Sequence, residues 1–288
     1  MEIKSKWPLL IPAVFAVSWA AILIRACDAP STVIAFYRKF FATLILLPFA
    51  LTIYRQRFYE FTRLSFLMTV LAGILLGWHF FFWVASLGYT SISSSVVLVT
   101  TQPVFVAVLA LIFLKEKIGF KGVFAIVLAI IGSAIIAGFD FKLEKQYLFG
   151  DILALAGAIM AGGYLFIGRA IRFRVSVFPY IFTVYSVAAL TLGIILLVSG
   201  EFFQTYHSQN YLFFILLAVG PTLLGHSLYN YSLQYIKAHK VGLSIVGEPV
   251  LASIWAIFIF NEIPALSTLV GGIIIILALV LVFSGGGQ

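Results

Sequence analysis

Ten long apolar runs follow one another along this chain, with short polar linkers between them. An α-helix crosses the hydrocarbon core of a bilayer in roughly 20 residues, which is the usual length of these runs. Helices suit them because backbone N–H and C=O groups in lipid must be satisfied within the protein. A soluble domain has roughly 45–50% apolar and about 25% charged residues, whereas this chain has 63% and 10%. The sequence therefore predicts an all-α integral membrane protein with ten transmembrane helices.

The first run begins shortly after Lys4 and Lys6. Lysines before an apolar run are typical of a signal peptide, but nine similar runs follow, so we interpret the first run as a retained helix. The predicted spans cover residues 7–24, 33–53, 64–87, 91–114, 123–137, 152–167, 177–198, 211–233, 241–260 and 267–283.

Positive charge is distributed unevenly between alternate linkers, and this asymmetry predicts the orientation in the membrane. With the N-terminus inside, the cytoplasmic segments contain 13 of the 18 Lys and Arg residues, whereas the outer segments contain Arg25, Lys142 and Lys145. The inner cations are Lys4, Lys6, Arg55, Arg57, Arg63, Lys115, Lys117, Lys121, Arg169, Arg172, Arg174, Lys237 and Lys240. Both termini are therefore predicted to be cytoplasmic, in a multi-pass protein of the plasma (inner) membrane.

Two stretches of the sequence align without a gap at a constant shift of 146 residues: ASLGYTSISSSVVLVTTQPVFVAVLALIFLKEK, from Ala85, and YSLQYIKAHKVGLSIVGEPVLASIWAIFIFNEI, from Tyr231. The identical pairs include Ser86 and Ser232, Leu87 and Leu233, Tyr89 and Tyr235, Pro103 and Pro249, and Glu116 and Glu262. A shift of this length spans five helices, and because five is odd, the second half would enter the membrane in the opposite sense. The pattern predicts two inverted five-helix repeats, residues 1–138 and 150–288, joined by an outer linker of residues 139–149. This architecture is typical of secondary transporters.

Motifs in both halves have a family likeness. The second span contains STVIAFYRKFFATLILLP, and the third and fourth contain SLGYTSISSSVVLVTTQPVFVAVLALIFLKEK. The eighth and ninth contain GHSLYNYSLQYIKAHKVGLSIVGEPVLASIWAIFIFNEIP. These motifs resemble the drug/metabolite transporter (DMT) superfamily in its ten-helix EamA branch. The resemblance implies a transporter with a cavity lined by helices of both halves. It implies no single substrate, because similar motifs occur in exporters of amino acids, purines, drugs and other metabolites.

Glu248 is predicted to lie seven residues into the ninth span, directly before Pro249. An ionisable group at membrane depth costs at least about 2.5–3.5 kcal/mol, so its presence calls for a reason. A buried carboxyl can be held protonated and exchange its proton as a cavity opens, which would make Glu248 a coupling or gating residue. Alternatively, the carboxyl bonds to backbone that the proline leaves free. Gln102, a candidate substrate-binding residue, occupies the equivalent position in the first repeat and cannot titrate, so such coupling would be confined to one half.

Arg38 and Lys39 are predicted to lie about two turns into the second span from the outside, roughly 10 Å below the surface. Adjacent helical residues point about 100° apart, so one of the two can snorkel to the surface while the other faces protein. We expect Arg38, which also matches the family's pattern in this span, to be the inward residue. As a coupling or gating residue it would attract an anionic group or pair with an acid. The alternative is a structural ion pair or hydrogen bonds to carbonyls.

Two polar stripes are predicted on the helices. The stripe of the eighth span follows i, i+4, i+7, i+8 spacing and consists of Thr222, His226, Tyr229 and Asn230. The stripe of the third span consists of His79, Trp83 and Ser86. A polar stripe on a membrane helix faces either protein or a water-filled cavity. We predict that the eighth span lines a substrate pocket, and for the third span both pocket lining and interhelical bonding remain open.

Trp19 and Tyr164 are predicted to lie at comparable depths in the first span of each half, and both are candidate substrate-binding residues. Ordinary packing is the alternative for both. Gly73 and Gly77 form a small-xxx-small pair in the third span, which predicts a helix-packing contact. Glycines near Tyr164 would permit close packing or an open space, namely Gly157, Gly162 and Gly163.

No catalytic, metal-binding or cofactor motif accompanies these features in the sequence. A Walker loop, an HExxH motif and a paired acidic cluster are all absent, so neither ATP-driven transport by this chain alone nor a metal-dependent enzyme is expected. The single cysteine, Cys27, cannot form an intramolecular disulfide, and no Cys/His cluster predicts a metal. The net charge of +8 resides mostly in short loops and does not indicate nucleic-acid binding.

The sequence therefore predicts a secondary transporter, without a cofactor, that moves a small metabolite by alternating access. The expected substrate is an amino acid or a related compound, the expected direction is export, and protons are the candidate coupling ion. A monomer or a weak homodimer is expected, since ten helices can enclose a pathway within one chain. Two alternatives remain open: a membrane-embedded enzyme that acts on a lipid or lipid-linked substrate, and a passive solute channel. The repeat and the absent catalytic clusters count against the enzyme.

Overall fold

The computed structural model describes residues 7–90, 95, 98–116, 118–136, 145–200, 204–260 and 266–283. Within these ranges all regular secondary structure is helical, which confirms the predicted all-α class for this part of the chain. Short 3-10 helices lie at Trp7–Leu9 and Arg55–Glu60. The longer helices are α1 (Leu10–Ala26), α2 (Ser31–Leu51), α3 (Arg63–Ser86), α4 (Gln102–Phe113), α5 (Phe120–Ile136), α6 (Lys145–Ile171), α7 (Val177–Ser199), α8 (Ser208–Ser232), α9 (Ala238–Ile245), α10 (Glu248–Phe260) and α11 (Leu266–Phe283).

By length and composition, seven helical segments among the described residues could cross a membrane. They are Trp7–Ala26, Ser31–Leu51, Arg63–Ser86, Tyr147–Ile171, Val177–Ser199, Ser208–Ser232 and Ala238–Ile259. The other three predicted spans coincide with the shorter apolar helices Gln102–Phe113, Phe120–Ile135 and Leu269–Leu281. The count of ten transmembrane helices therefore stays a prediction. Lys4, Lys6, Lys117, Lys142, Glu262 and part of the fourth span lie outside the described residues.

Three predicted spans are not the continuous α-helices that their apolar runs suggest. Turns at Thr100 and Thr101 precede α4, and turns at Val246 and Gly247 separate α9 from α10. Each break lies directly before a proline near the start of a helix, Pro103 in α4 and Pro249 in α10. Proline has no N–H to donate to the carbonyl four residues earlier, and its ring clashes with that carbonyl. The same prolines that reveal the repeat in the sequence therefore interrupt these helices.

The third of these spans is α8, whose irregularity the apolar pattern does not predict. Its middle part, Ala218–His226, is a π-helix that includes Pro221, and α-helix flanks it on both sides. Wider π-turns within α-helices are frequently found at functional sites. This segment carries part of the polar stripe predicted for the eighth span.

The predicted glycine contact on α3 is confirmed. A Cβ atom added at Gly73 would lie 2.6 Å from Cβ of Val187, and one at Gly77 would lie 2.9 Å from Cβ of Thr191. Both contacts are closer than real Cβ atoms approach, so α3 and α7 require glycine to pack at this distance. α3 also packs against α6. The position of α3 between these two helices brings its polar stripe to the interior of the bundle.

Three pairs of described helices begin at a constant offset. Ser31 and Val177 begin α2 and α7, Gln102 and Glu248 begin α4 and α10, and Phe120 and Leu266 begin α5 and α11. Each pair of starting residues is 146 residues apart, the shift that aligns the sequence with itself. Interfaces also recur: α3 packs on α6 as α8 packs on α1, and α4 packs on α6 as α10 packs on α1.

Candidate functional site

A small cavity lies in the interior of the bundle, between helices of both halves of the chain. The space that the centre of a water molecule could occupy in it is about 40 Å³. This is enough for a few water molecules and too little for an amino acid, so the cavity would have to widen to admit one. Eight of the eleven predicted site residues line it: Arg38, His79, Trp83, Gln102, Tyr164, His226, Tyr229 and Glu248.

Arg38 of α2 lies almost fully buried beside this cavity, with 1% of its surface exposed. Its Nε atom donates a hydrogen bond of 2.8 Å to Oγ1 of Thr222, in the π-helical part of α8. Its guanidinium carbon lies 4.4 Å from the centre of the Phe80 ring, on α3. No polar group of the described residues bonds to its Nη1 atom. The prediction that Arg38 faces the protein interior agrees with this placement.

Lys39 corrects the expectation that only one of the two adjacent cations faces the interior. It is fully buried, and its Nζ atom lies 4.2 Å from the centre of the Phe80 ring and 4.6 Å from that of Tyr185. Cation–π contacts with two rings favour the buried position over an extended path to the surface. Arg38 and Lys39 thus approach the same aromatic ring, while Arg38 alone of the two lines the cavity.

Glu248 is the acidic residue of the cavity lining. It begins α10, where the break before Pro249 turns the chain towards the cavity. Within the described part of the chain no side-chain hydrogen bond reaches Glu248. No Asp or Glu oxygen of the described residues lies within 4.0 Å of the Arg38 guanidinium. The cavity therefore holds one basic and one acidic side chain that do not pair with each other.

The stripe of α3 contributes both to the cavity and to helix packing. The Nδ1 atom of His79 lies 2.9 Å from the carbonyl oxygen of Gly157 on α6. A carbonyl only accepts, so Nδ1 carries the proton in this contact and Nε2 remains as the acceptor of a neutral ring. The His79 ring is parallel to that of Trp83, 9° apart, with centres separated by 6.0 Å. Ser86 lies deeper in the packing and bonds to Ser95 at 2.6 Å.

The stripe of α8 is divided between cavity lining and support. His226 and Tyr229 line the cavity, whereas Thr222 does not line it and accepts the hydrogen bond from Nε of Arg38. Asn230 is buried, and its side-chain amide donates to the hydroxyl of Tyr164 and to the carbonyl of His226. Asn230 thus joins α8 to α6, which corresponds to the interhelical alternative for this residue.

Trp19 does not lie at the cavity. Its ring stacks on that of Trp255 in α10 with centres 4.8 Å apart, and Trp255 donates to Oγ of Ser18 at 2.8 Å. This contact joins α1 to α10, which corresponds to the packing alternative. Tyr164, at comparable depth in α6, is 2% exposed and does line the cavity. The two aromatic residues therefore have different surroundings despite their similar positions in the two halves.

A second donor that lines the cavity is buried without a partner in the described part of the chain. It is Nε1 of Trp83, in addition to Nη1 of Arg38. Buried polar groups are normally hydrogen-bonded, so such a pair indicates a site that water or a polar ligand completes. Among the described residues no three His, Cys, Asp or Glu side chains are grouped as metal ligands.

Contacts at the two ends of the cavity differ. Beyond Tyr164, towards the end that the charge count assigns to the cytoplasm, Arg169 of α6 forms a 2.7 Å ion pair with Glu116 after α4. Arg169 also donates to the carbonyl of Leu233 at the end of α8. At the other end, Trp83 lines both the central cavity and a second space of about 310 Å³ near Arg25.

Sequence reasoning missed several groups of the site. Three residues that contact the buried or paired charges were not predicted as part of the site: Phe80, Tyr185 and Glu116. The first two lie in apolar runs and the third in a loop, and nothing in those local sequences indicates the contacts. Phe80 directly follows His79 in the sequence. Its place beside the polar stripe is the only sequence feature that could have indicated its role. Tyr185 is 146 residues after Lys39, the same shift as the repeat, and this correspondence could have identified it.

Comparisons with known proteins also indicate a transporter. The sequence matches the EamA-like transporter family over residues 6–138 and again over residues 148–284. It is 30% identical over 247 residues to the S-adenosylmethionine uptake transporter of Rickettsia conorii, which covers 84% of this chain and 79% of that protein. It is 23% identical to the pseudopaline exporter CntI of Pseudomonas aeruginosa, covering 96% of this chain and 95% of CntI.

Two more comparisons complete this relationship. The uncharacterized transporter YdfC of Bacillus subtilis is 27% identical, over 69% of this chain and 65% of the length of YdfC. A crystal structure shares the fold with a TM-score of 0.79 at 15% identity, covering 96% of this chain and 95% of that one. Helices suited to cross a membrane and relatives named as transporters together show a multi-pass membrane protein of the transporter class. The family matches extend over most of the sequence and confirm the resemblance of its motifs, so the chain belongs to the EamA-like transporter family.

Proposed function

We propose that this chain is a secondary transporter that moves an amino acid or a related small metabolite out of the cell by alternating access. The observation that carries the proposal is the small central cavity, which is lined by a basic and an acidic side chain, Arg38 and Glu248, that are not in ion-pair contact with each other. An amino acid carries one charge of each sign. A buried basic group and a buried acidic group, neither in contact with an opposite charge, suit such a solute better than they suit an apolar one.

An architecture of two inverted five-helix repeats supports alternating access. The family matches once in each half of the chain, and helix starts recur 146 residues apart. The equivalent helices α2 and α7 pack antiparallel, since Phe36 contacts Gly193 and Lys39 contacts Tyr185. Antiparallel equivalents are what an inverted repeat requires. Under this proposal residues 1–138 and 150–288 form the two halves, with 139–149 as the outer linker.

Alternating access requires contacts between the two halves that form and break at each end of the cavity. The Glu116–Arg169 pair joins α4 of one half to α6 of the other. Trp83 lines both the cavity and the outer space. In the proposed cycle, separation at the Glu116–Arg169 end admits solute from the cytoplasm, and movement around Trp83 releases it outside. We propose the plasma membrane as the location, cytoplasmic termini, no enzymatic activity, and a monomer or weak homodimer as the working unit.

Counterflow in proteoliposomes tests this function. Liposomes that contain the purified protein are loaded with one unlabelled L-amino acid and mixed with a trace of the same labelled compound, for each proteinogenic amino acid in turn. We expect saturable, stereoselective accumulation of unmodified label for at least one of them. Recovery of an altered compound would instead indicate an enzyme, and flux without saturation or counterflow would indicate a channel. Either result contradicts the proposal.

A cavity-filling variant provides the matched control. Ala161 lines the cavity and is 3% exposed, whereas Leu190 on α7 is 67% exposed on the outer surface of the bundle. We expect Ala161→Phe to abolish counterflow, because the added ring occupies the small cavity, and Leu190→Phe to preserve it. Direction is measured in intact cells loaded with the transported solute: cells with the wild-type protein should lose it faster than cells with Ala161→Phe. Faster accumulation from the medium would reverse the proposed direction.

A further inference from the structure

The guanidinium of Arg38 is held from two sides and has an unpaired N–H group on a third. Phe80 covers a face of the planar group at 4.4 Å, and Thr222 accepts the hydrogen bond of Nε at 2.8 Å. The Nη1 atom is buried and has no partner within the described residues. Because an aromatic ring covers a face, a ligand must approach the guanidinium along its edge, where the N–H groups point.

Thr222 is bonded so that it can only accept from Arg38. Its hydroxyl carries one proton, and that proton is directed to the carbonyl oxygen of Leu217 at 3.0 Å. The lone pairs of Oγ1 therefore remain for Nε of Arg38. Thr222 lies in the π-helical segment of α8, which includes Pro221, and Leu217 is the last residue of the α-helix before that segment. This irregular turn fixes the rotation of the guanidinium about its long side chain.

The guanidinium of Arg38 has no carboxylate in direct contact. No Asp or Glu oxygen of the described residues lies within 4.0 Å of it, although Glu248 lines the same cavity, and Lys39 lies buried next to it. Arginine with an open edge matches a carboxylate, whose two oxygens accept two parallel N–H bonds. A carboxylate would satisfy the open N–H groups and compensate the buried positive charge at the same time.

We propose that Arg38 binds the carboxylate group of the transported solute, with Thr222 as the residue that positions its guanidinium. The inference rests on the proposed transport function and narrows its substrate class to solutes that carry a carboxylate. Glu248, in the same cavity, is then available for a second group of the solute or for a proton. Lys39 is not part of this site, because its ammonium lies between the Phe80 and Tyr185 rings and it does not line the cavity.

Binding measured without transport tests the site. The purified protein in detergent is heated with each proteinogenic L-amino acid, and those that raise the melting temperature are compared with their C-terminal amides. The amide keeps the size and the amino group but removes the negative charge. We expect the amide to need a concentration about tenfold or more higher for the same stabilisation, as loss of a charged hydrogen bond implies. Equal stabilisation by acid and amide would overturn the proposal, and so would the absence of stabilisation by every amino acid.

Variants assign the effect to Arg38. Arg38→Gln should bind the acid and the amide with similar affinity, whereas Lys39→Gln should keep the preference of the wild-type protein for the acid. Arg38→Lys, which keeps the charge without the planar fork, should retain only part of the preference. If Lys39→Gln removes the preference and Arg38→Gln keeps it, the carboxylate binds elsewhere. The wild-type comparison of acid and amide decides the question even if an Arg38 variant does not fold.

Thr222 is distinguished from a purely structural residue by the ratio of acid to amide affinity. Thr222→Val loses the acceptor for Nε and should reduce this ratio, and Thr222→Ser should restore it. A merely structural role would lower the melting temperature of the free protein and leave the ratio unchanged. Counterflow by the wild-type protein together with equal binding of acid and amide would refute the carboxylate site while leaving the transport function intact.

Discussion

Individual buried charges are the residues that most constrain this molecule. Arg38, Lys39 and Glu248 all lie within helices suited to cross a membrane, where each charge costs about 2.5–3.5 kcal/mol or more. The sequence predicts their importance because they interrupt apolar runs. It does not predict their surroundings, since a run of apolar residues does not show which ring will lie beside which cation. Phe80 of α3 lies near both Arg38 and Lys39 because α3 packs against α2.

Glu248 and its repeat equivalent Gln102 define a prediction about proton coupling. Both line the cavity, and only Glu248 can change its charge. If its carboxyl couples solute movement to protons, Glu248→Gln should lower flux driven by a pH gradient about tenfold or more, because an amide keeps the size but cannot exchange a proton. Counterflow, which needs no net proton movement, should survive. Both fluxes are measured in the same proteoliposomes.

A control variant and two alternative outcomes test this prediction further. Asp28→Asn removes an exposed carboxyl and should leave gradient-driven flux unchanged. Loss of both fluxes in folded Glu248→Gln would instead assign Glu248 to direct contact with the solute. Unchanged gradient-driven flux in Glu248→Gln would exclude the coupling role. Destabilisation by Glu248→Leu alone would then favour a structural carboxyl.

Helical elements in this protein are predicted well by apolar runs and poorly at their breaks. The apolar run of the eighth span predicts a continuous helix, yet Ala218–His226 forms π-turns around Pro221. Hydropathy does not change at such a point, because the residues remain apolar while the hydrogen bonding shifts. The breaks before Pro103 and Pro249 follow the same rule. Proline positions, rather than hydropathy, carried the missing information.

The start of α7 depends on a residue from another loop. The backbone N–H of Ser176, which precedes Val177, donates to Oε2 of Glu60 at 2.6 Å, and Arg57 donates to the other carboxylate oxygen at 3.1 Å. A negative group at the N-terminus of a helix is favourable because the first N–H groups lack partners within the helix. Partial burial favours the protonated acid, but the hydrogen bonds from Ser176 and Arg57 outweigh it and hold the pKa of Glu60 below its usual value.

This contact predicts a pH dependence of stability. Because the folded-state pKa of Glu60 lies below the unfolded one, the carboxylate stabilises the fold above the ordinary Glu pKa of about 4.3. That contribution is lost as pH falls through the lower folded-state pKa. We expect wild-type protein in detergent to melt at a higher temperature than Glu60→Gln at pH 7, with the difference shrinking below pH about 4.3. A difference that stays constant down to pH about 3 would show that Glu60 acts through packing rather than charge.

At the scale of the whole molecule, the order of the helices in the first half of the sequence recurs in the second half. The shift of 146 residues is visible in the sequence and returns in the helix starts. Side chains at equivalent positions nevertheless differ, as Trp19 packs on Trp255 while Tyr164 lines the cavity. The repeat therefore predicts where helices lie more reliably than what their side chains do. A helix keeps its place through the many contacts of its surface, whereas one side chain depends on a few neighbours.

Orientation in the membrane is the prediction of largest scale, and α7 provides a direct measurement of it. Arg174 precedes α7 and Thr205 follows it, and both side chains are exposed. The charge asymmetry assigns Arg174 to the cytoplasm and Thr205 to the outside. The native Cys27 is removed as Cys27→Ser, although burial raises the pKa of its thiol to about 12 and should already slow its reaction at pH 7.

In the Cys27→Ser protein, Thr205→Cys should react with an impermeant maleimide added to intact cells, and Arg174→Cys should react only after the membrane is opened. Lys142→Cys, in the predicted outer linker, should behave as Thr205→Cys does. The physical reason is that one apolar helix of 23 residues, Val177–Ser199, separates the first two positions, and the reagent cannot cross lipid. A reversed pattern would invert the orientation and assign the 13 cations to the outer surface. Labelling of both positions from outside would show that α7 does not cross the membrane, and the predicted count of ten transmembrane helices would then be wrong.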